Sequence, residues 1–493
     1  MATSESTVIE VHNLGFVYPS SPGREPVRAL DAITFSVERG QIVLLLGPSG
    51  SGKSTLCRAL TGLVPHTTPG VMEGSVRIAG SDTRERPVNA SARVIGMVFQ
   101  DPDSQLFSTT VEDEVVFGLE QLGADEEIMD AAVADAIRLL KIDHLRHSTI
   151  DALSWGERQR VAIAATLATA PSVLVLDEPL SGLDAESASA LVGTLSALRA
   201  GFNLTVIVSE HRTELLAPVA DREVVLEEGR LVADRVLSAR QGSAVRHPGC
   251  RASLPYRQRP GSCPSVEIRG VCFRYPGQSR SALDGVNLDL YPGEVTVLIG
   301  ANGSGKSTLL RMLNGIIRPE RGTVAVRGRP IARRPVADIA REVGVLFQGA
   351  DYLLFSESIA DEISFGPRNL GVSGEECARR TADVVRSLGL DGIPPGSSPL
   401  SLSIGERQRV AIGSVLAMET PVVALDEPTL GLDSERKLRL GALLRGLADR
   451  GRTVVVATHD RPFGDACADR TVTLHGGRIV TDERNPGPGF GCR

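Results

Sequence analysis

Hydrophobic residues in this chain fall into short strand-like runs separated by longer helix-like segments. The apolar runs are residues 42–46, 173–176 and 204–208, and further strand patterns occupy residues 8–11, 74–78 and 94–99. The helical segments are residues 126–140, 161–168 and 185–199, and a further helical pattern runs through Leu56, Leu60 and Leu63. A short continuous apolar run is typical of a parallel strand buried on both faces. The pattern therefore predicts an α/β unit.

The same order of landmarks occurs a second time at a near-constant offset, which predicts a duplicated domain. The matching positions are Lys53 and Lys306, Gln100 and Gln348, Ser154 and Ser403, Asp177-Glu178 and Asp426-Glu427, and His211 and His459. We expect a first domain over residues 8–237 and a second over residues 266–482.

Residues 238–265 have a different composition and are predicted to be a linker. They are rich in Ser, Arg, Gln, Gly and Pro and contain no acidic residue. A flexible segment of this length spans about 30 Å, which is enough to join two domains. Its arginines could instead contact a membrane surface or an anionic partner. Residues 485–493 are expected to be a frayed tail.

Composition narrows the possible partners and compartments. The net charge of −7 argues against nucleic acid as the main partner. Seven scattered cysteines without a C-x-x-C pair indicate reduced thiols in a cytosolic protein. The first residues lack a signal-peptide pattern, and no apolar run reaches the about 20 residues needed to span a bilayer. Any membrane role is therefore expected to come through a partner.

A glycine-rich loop with the pattern G-x-x-x-x-G-K-[ST] follows an apolar run in each half. The residues are Gly47, Ser49, Gly50, Gly52, Lys53, Ser54 and Thr55 in the first copy, and Gly300, Asn302, Gly303, Gly305, Lys306, Ser307 and Thr308 in the second. Strand, loop and helix in this order let backbone N–H groups converge on phosphate oxygens. The lysines can reach the β- and γ-phosphates, and Ser54 and Ser307 can ligate Mg²⁺. Two matches in matching contexts argue against a turn that binds nothing.

Each half also carries an Asp-Glu pair at the end of a buried strand, where ligands bind in α/β sheets. Asp177 and Asp426 are placed to hold the hydration shell of Mg²⁺. Glu178 and Glu427 are suited to act as general bases on an attacking water. His211 and His459 could stabilise charge on the γ-phosphate. The predicted activity is hydrolysis of ATP by in-line attack of water.

Tyr18 and Tyr275 precede the two loops at equivalent places. An aromatic residue there could stack on adenine, by analogy worth about 1–3 kcal/mol. The alternative is a tyrosine of the core or of a turn. Recurrence in both copies favours stacking.

Residues 153–157 (Leu-Ser-Trp-Gly-Glu) and 402–406 (Leu-Ser-Ile-Gly-Glu) resemble the signature of ATP-binding cassette (ABC) proteins. The resemblance implies two tandem nucleotide-binding domains. Each would have a P-loop RecA-like α/β core, an antiparallel β-subdomain and a helical signature subdomain.

The resemblance also implies that the two cassettes pair head to tail with ATP between them. One site would then use Lys53, Gln100, Asp177, Glu178 and His211 against Ser403 and Gly405. The other would use Lys306, Gln348, Asp426, Glu427 and His459 against Ser154 and Gly156. Gln100 and Gln348 would also contribute to the Mg²⁺ site.

The signatures depart from the family pattern at two positions. Trp155 and Ile404 replace the usual glycine, and Glu157 and Glu406 replace the usual glutamine. A bulky residue at the third position is expected to weaken the ATP sandwich. Because every hydrolytic residue is present twice, both sites are nevertheless expected to be active.

Residues 98–118 closely resemble the ATPases of energy-coupling-factor importers, and residues 346–367 keep a looser form. These importers take up vitamins or cobalt and nickel ions. The resemblance implies that the region after each glutamine receives an integral-membrane coupling subunit. A separate small membrane protein would capture the substrate, and this chain would sit at the cytoplasmic face of the cell membrane. The residues could alternatively just begin the helical subdomain.

Other functions that share the same chemistry remain as alternatives. They are the ATPase of a sugar importer or exporter and a soluble twin-cassette factor on ribosomes. The short proline-rich linker and the two histidines argue against the ribosomal factor. No residue of this chain reports the transported substrate.

Overall fold

Two units, Met1–Val245 and Arg246–Arg493, make up the chain in a computed structural model. The structure describes residues 6–19, 26–210, 213–237, 263–278, 280–349 and 353–484. Most of the predicted linker, residues 238–262, therefore lies outside the described residues, as does the predicted tail. Among the described helices, none is long and apolar enough to cross a membrane.

The first unit combines a small antiparallel sheet, a large sheet and a group of helices. It begins with β1 (Thr7–Tyr18), β2 (Val27–Glu38), β3 (Ile42–Leu46), α1 (Lys53–Leu60), α2 (Leu63–His66), β4 (Val71–Ile78), β5 (Ser81–Asp82), α3 (Val88–Ser91) and β6 (Ile95–Val98). It continues with α4 (Val111–Gln121), α5 (Glu126–Leu139), α6 (Trp155–Ala168), β7 (Val173–Asp177), α7 (Ala185–Phe202), β8 (Thr205–Ser209), α8 (Thr213–Leu216), β9 (Arg222–Glu227) and β10 (Arg230–Val236).

The large sheet has the order β10-β9-β3-β8-β7-β6, and all its pairs are parallel except the hairpin β9–β10. Successive residues of a strand point to opposite faces. Accordingly, Leu174 and Leu176 pack with α4–α7, whereas Val173 and Val175 pack towards α1 and the small sheet. Both faces are buried, which explains why these strands are apolar at every position. The small sheet, β2-β1-β4-β5, is antiparallel.

The second unit repeats this arrangement. Its first elements are β11 (Val266–Phe273), β12 (Leu283–Leu290), β13 (Val295–Ile299), α9 (Lys306–Leu313), β14 (Arg321–Val326), β15 (Arg329–Pro330), α10 (Val336–Ile339) and β16 (Val343–Leu346). They are followed by α11 (Ile359–Asn369), α12 (Gly374–Ser387), α13 (Ile404–Ala417), β17 (Val422–Asp426), α14 (Ser434–Asp449), β18 (Thr453–Ala457), α15 (Arg461–Cys467), β19 (Arg470–His475) and β20 (Arg478–Arg484). The sheet orders, β12-β11-β14-β15 and β16-β17-β18-β13-β19-β20, match those of the first unit.

The predicted fold class is confirmed: each unit has a P-loop α/β core, an antiparallel sheet and a helical part formed by α4–α6 or α11–α13. One local prediction needs correction. The helical pattern through Leu56, Leu60 and Leu63 is not one helix, because α1 ends at Leu60 and Leu63 begins α2. Gly62 between them has a φ of 75°, a left-handed conformation that interrupts the helix. The predicted strand at residues 8–11 is the first part of the longer β1.

Candidate functional site

The phosphate loop of each unit joins the central strand of the large sheet to the next helix. In the first unit the Lys53 side chain is buried and folds back over the loop. Its Nζ donates to the carbonyl oxygens of Gly47, at 2.8 Å, and Pro48, at 3.0 Å. Lys306 makes the matching bonds to Gly300, at 2.6 Å, and Ala301, at 3.1 Å. The loop thus presents a cation among backbone groups at a helix N-terminus, which is the setting that binds phosphate.

The last glycine of each loop is required by backbone geometry. Gly52 and Gly305 precede α1 and α9 with φ values of 99° and 103°, in the region that favours glycine. A Cβ on Gly52 would lie 2.5 Å from the Ala29 carbonyl oxygen. The loop can therefore pass close to β2 only without a side chain at this position.

The aspartates at the ends of β7 and β17 lie next to the loop serines. The Ser54 hydroxyl lies close to Asp177 and the Ser307 hydroxyl lies close to Asp426, and each hydroxyl favours the charged form of its carboxylate. Burial, together with the charge of Glu178, raises the pKa of Asp177, and burial raises the pKa of Asp426 to about 6. In each carboxylate Oδ1 is buried and makes no hydrogen bond within the described part of the chain. The site therefore contains an unpaired anionic oxygen.

A hydroxyl beside a carboxylate with a free oxygen fits Mg²⁺. This ion prefers oxygen ligands and is usually held by one or two protein groups together with substrate phosphates and water. Among the described residues, no group of three or more His, Cys, Asp and Glu side chains could hold a metal ion by itself.

Glu178 and Glu427, the predicted general bases, occupy the left-handed region with φ values of 48° and 47°. This conformation is rare for residues other than glycine and, where it occurs, is concentrated at functional sites. The backbone N–H of each glutamate still pairs with the neighbouring strand, donating at 2.8 Å to Ser209 and Ala457, respectively. The chain turns sharply at the glutamate, which holds each carboxylate at the carboxyl edge of the sheet.

The contacts of the two glutamate carboxylates differ. The Gln100 side chain donates to Glu178 Oε2 at 2.8 Å. In the second unit the Thr458 hydroxyl donates to Glu427 Oε2 at 3.0 Å, and the His459 backbone N–H donates to Oε1 at 3.1 Å. His459 Nδ1 lies 2.9 Å from the same oxygen but is not aligned for a hydrogen bond.

The other predicted site residues around the two glutamates are not equivalent in the two units either. Gln348 is exposed, and over the described ranges no hydrogen bond joins it to Glu427. His211 lies outside the described residues, so its predicted role stays a prediction. Glu210 stands where the second unit has Thr458, one residue after the strand.

Each signature motif forms a capped helix start. Ser154 is the N-cap of α6, where its backbone N–H and its hydroxyl donate to Glu157 at 2.8 Å and 2.6 Å. Ser403 and Glu406 repeat this capping box at α13. One carboxylate oxygen accepts both bonds, so Glu157 and Glu406 serve as the third helical residue of a capping box, a role that glutamine can also fill.

Both signature serines are exposed, whereas Gly156 and Gly405 are buried. In the described residues no hydrogen bond joins these four to the phosphate loop of their own unit. The structure thus brings the loop, aspartate and glutamate together in each unit and leaves the signature apart.

Tyr18 and Tyr275 are tied to the phosphate-loop helices. Their hydroxyls lie 3.1 Å and 3.2 Å from the hydroxyls of Thr55 and Thr308. Each ring packs edge-to-face on the phenylalanine two residues earlier in the chain. The tyrosines therefore lie beside the site, and adenine stacking stays a prediction.

Two kinds of residue near the site were missed at the level of sequence. Thr458 carries no motif, and no sequence signal identifies it. Glu114 and Glu362 are buried, and the same oxygen of each accepts two backbone N–H groups of the preceding turn. Their recurrence at matching positions was a usable signal.

The P-loop fold is duplicated, and each copy has a phosphate-loop lysine, a serine–aspartate pair and a glutamate in a strained conformation. These features define a twin-cassette ATPase. Residues 30–181 and 283–430 match the family model of the ABC transporter. The chain belongs to this family, and it is an ATP-binding, ATP-hydrolysing protein of an ABC transporter.

Relatives along nearly the whole chain agree with this assignment. An ABC transporter ATP-binding protein of Methanosarcina mazei is 34% identical over 530 residues, covering 97% of this chain and 89% of the relative. One of Streptomyces coelicolor is 34% identical over 518 residues, covering 92% of this chain and 90% of the relative.

Among solved structures, cbiO1 of Clostridium perfringens is similar to part of the chain. It is described as part of the ABC transporter complex cbiONQ, is 31% identical, and covers 46% of this chain and 88% of its own, with a TM-score of 0.41.

Proposed function

We propose that this ATPase is the motor of an energy-coupling-factor type importer, which drives uptake of a vitamin or a transition-metal ion through separate membrane subunits. The chain would be held at the cytoplasmic face of the membrane by an integral-membrane coupling subunit, with a small membrane protein capturing the substrate. The support is the resemblance of residues 98–118 together with the surface that these residues form.

In the proposed reaction, Glu178 and Glu427 polarise the attacking water in the two sites, and His459 and His211 stabilise charge on the γ-phosphate. Ser54 with Asp177, and Ser307 with Asp426, would hold Mg²⁺. When bound, the ion neutralises charge on the β- and γ-phosphates. We further propose that the two cassettes pair head to tail within one chain.

The observation that carries the importer proposal is a phenylalanine pair after the glutamine segment of each unit, in which the first ring is largely exposed. Phe107 is 65% exposed and packs edge-to-face on Phe117, with ring centroids 4.5 Å apart. Phe355, also 65% exposed, packs in the same way on Phe365 at 4.8 Å. Exposed aromatic residues at the start of a helix are a suitable anchor for a partner protein.

A buried carboxylate fixes the turn that presents each exposed ring. Glu114 Oε2 accepts the backbone N–H groups of Phe107 at 3.0 Å and Ser108 at 2.7 Å. Glu362 repeats this with Phe355, at 3.1 Å, and Ser356, at 2.8 Å. A rigid turn loses little entropy on binding, so the device favours a docking role over an incidental helix start.

The test is affinity purification of the tagged chain from detergent-solubilised membranes of its host, followed by mass spectrometry. Recovery of a coupling membrane protein and a small, very hydrophobic protein would support the proposal, and the small protein would identify the substrate. Recovery of ribosomal proteins or of an exporter-like membrane pair would refute the importer assignment and leave the ATPase assignment intact.

A matched pair of variants links the recovered partner to the surface. Phe107→Ala combined with Phe355→Ala is expected to abolish recovery of the membrane protein and leave ATP hydrolysis by the purified chain near its original rate. Phe202→Ala, at the end of α7 and 75% exposed, is the control and is expected to change neither result. Equal loss of the partner with the control would contradict docking at the phenylalanine pairs.

A further inference from the structure

The third signature residue of each unit packs on the loop that follows the catalytic glutamate of the same unit. A Cβ placed on Gly182 would lie 2.7–3.0 Å from three atoms of the Trp155 indole, so the ring lies directly against this glycine. In the second unit Ile404 Cγ2 would lie 3.2 Å from a Cβ on Gly431. Two different side chains thus make the same contact.

Glycine is suited to the contacted position in both units. Gly182 and Gly431 have φ values of 72° and 69°, which favour glycine. In the second unit the backbone of the signature helix also lies against the loop, because a Cβ on Gly405 would be 2.5 Å from the Gly431 carbonyl oxygen. The start of the signature helix and the loop are therefore in direct van der Waals contact.

The contacted loop is short, and it begins at the glutamate. Ser181 N–H donates to the Glu178 carbonyl oxygen at 3.1 Å, so Gly182 lies directly beyond a turn closed on the glutamate. In the second unit Leu430 N–H donates to the Glu427 carbonyl oxygen at 3.4 Å. A displacement of either glycine is consequently transmitted to the backbone of a residue that is already in a strained conformation.

We propose that Trp155 and Ile404 are positioning residues, which hold the loop and thereby the carboxylate of Glu178 and Glu427, respectively, each within its own unit. The proposal rests on the proposed role of the two glutamates as general bases. It reverses the expectation from sequence, since these bulky residues would support hydrolysis rather than impair it.

The test isolates one site at a time. In a Glu427→Gln background, where turnover depends on Glu178, Trp155→Gly is expected to lower kcat about 10-fold or more and leave KM for ATP within about twofold. The reason is that misplacing a reacting group by about 1 Å can slow a reaction up to about 100-fold. Trp155→Ile, which introduces the second unit's own residue, is expected to restore most of kcat.

The crossed combination distinguishes a contact within the unit from an effect on the other site. In a Glu178→Gln background, Trp155→Gly is expected to cause a loss at least severalfold smaller. Ile404→Gly should show the mirror pattern, with its larger loss in the Glu178→Gln background. Equal losses in both backgrounds, the reverse pattern or failure of isoleucine to rescue would each overturn the proposal.

Two further measurements distinguish failure of the positioning role from misfolding of a variant and from a wrong assignment of the general bases. Thermal unfolding must show that Trp155→Ile is folded, so that its kcat can be interpreted. If neither Glu178→Gln nor Glu427→Gln alone reduces turnover, the proposed bases are wrong. If each reduces turnover and Trp155→Gly has no effect, only the positioning role is refuted.

Trp155 is the only tryptophan of the chain, so its fluorescence reports on the contact directly. Gly182→Ala places a methyl group against the indole, and we expect both a shifted emission maximum and a reduced kcat in the Glu427→Gln background. Gly123→Ala is the matched control, because Gly123 has a similar φ of 67° and, apart from its chain neighbours, no atom lies within 4 Å of the added Cβ. An unchanged emission and kcat in Gly182→Ala would contradict the contact.

Discussion

Replacing Thr458 by valine removes one hydroxyl group beside Glu427 and keeps the branched shape of the side chain. Thr458 is fully buried, and its hydroxyl has two partners. It donates to Glu427 Oε2 at 3.0 Å and accepts the Asp460 backbone N–H at 3.0 Å. The substitution therefore frees one oxygen of the Glu427 carboxylate, the proposed general base, and leaves the Asp460 backbone N–H without this partner.

The expected effect follows from the bond that is lost. A hydrogen bond to a charged group contributes about 1.5–3 kcal/mol. Glu427 keeps the His459 backbone N–H and the nearby imidazole, so the lower value is the appropriate one. If positioning in the transition state accounts for this energy, about 1.5 kcal/mol corresponds to a loss of about 10-fold in kcat.

The assay is steady-state ATP hydrolysis in a Glu178→Gln background, in which the second site carries the turnover. We expect kcat to fall about 10-fold with little change in KM, since Thr458 holds the base rather than the nucleotide. Thr458→Ser retains the hydroxyl and should keep most of the activity. Full activity of a folded Thr458→Val would refute the reasoning. An equal loss in Thr458→Ser would show that packing of the methyl group, not the hydrogen bond, matters.

Three further predictions concern the Tyr18 ring, the hydrophobic core of the first unit and two cysteine thiols. Tyr18→Ala should weaken ATP binding about 10-fold in a nucleotide titration while Tyr18→Phe should not, since stacking is worth about 1–3 kcal/mol; equal effects would point to the hydroxyl. Leu176→Ala should lower the free energy of unfolding of the first unit by about 2–5 kcal/mol in urea, whereas the exposed Ile128→Ala should have little effect. Burial raises the pKa of the Cys467 thiol to about 12, so alkylation at neutral pH should spare Cys467 and modify the exposed Cys263; rapid labelling of both would contradict this.

Much of the architecture could be predicted because it depends on short-range patterns. The runs at residues 42–46 and 173–176 are apolar throughout because both sheet faces are covered, and this covering is visible in sequence. The phosphate loops could be placed because glycine and lysine at fixed spacing have few other uses. The duplication then supported each assignment with a second example.

What could not be predicted depends on contacts between distant segments. Nothing in the sequence indicates that Glu178 and Glu427 are left-handed, because each sharp turn is accompanied by a backbone hydrogen bond to a strand that is distant along the chain. In the sequence Glu157 is only a departure from the motif, whereas in the structure it caps α6. The bulk of Trp155 predicts a weakened site, since its contact with Gly182 is visible only in the folded chain.

Among the described residues, Gln100 contacts Glu178 whereas Thr458 contacts Glu427, and this difference has an evolutionary consequence. In an assembly of two identical cassettes, every mutation alters both halves at once, so a harmful change has no unaffected copy to compensate for it. Two cassettes encoded in one chain can mutate separately. The Thr458 and Glu210 positions show that the two halves already differ next to the proposed catalytic carboxylates. Selection can therefore adjust one half while the other half sustains activity.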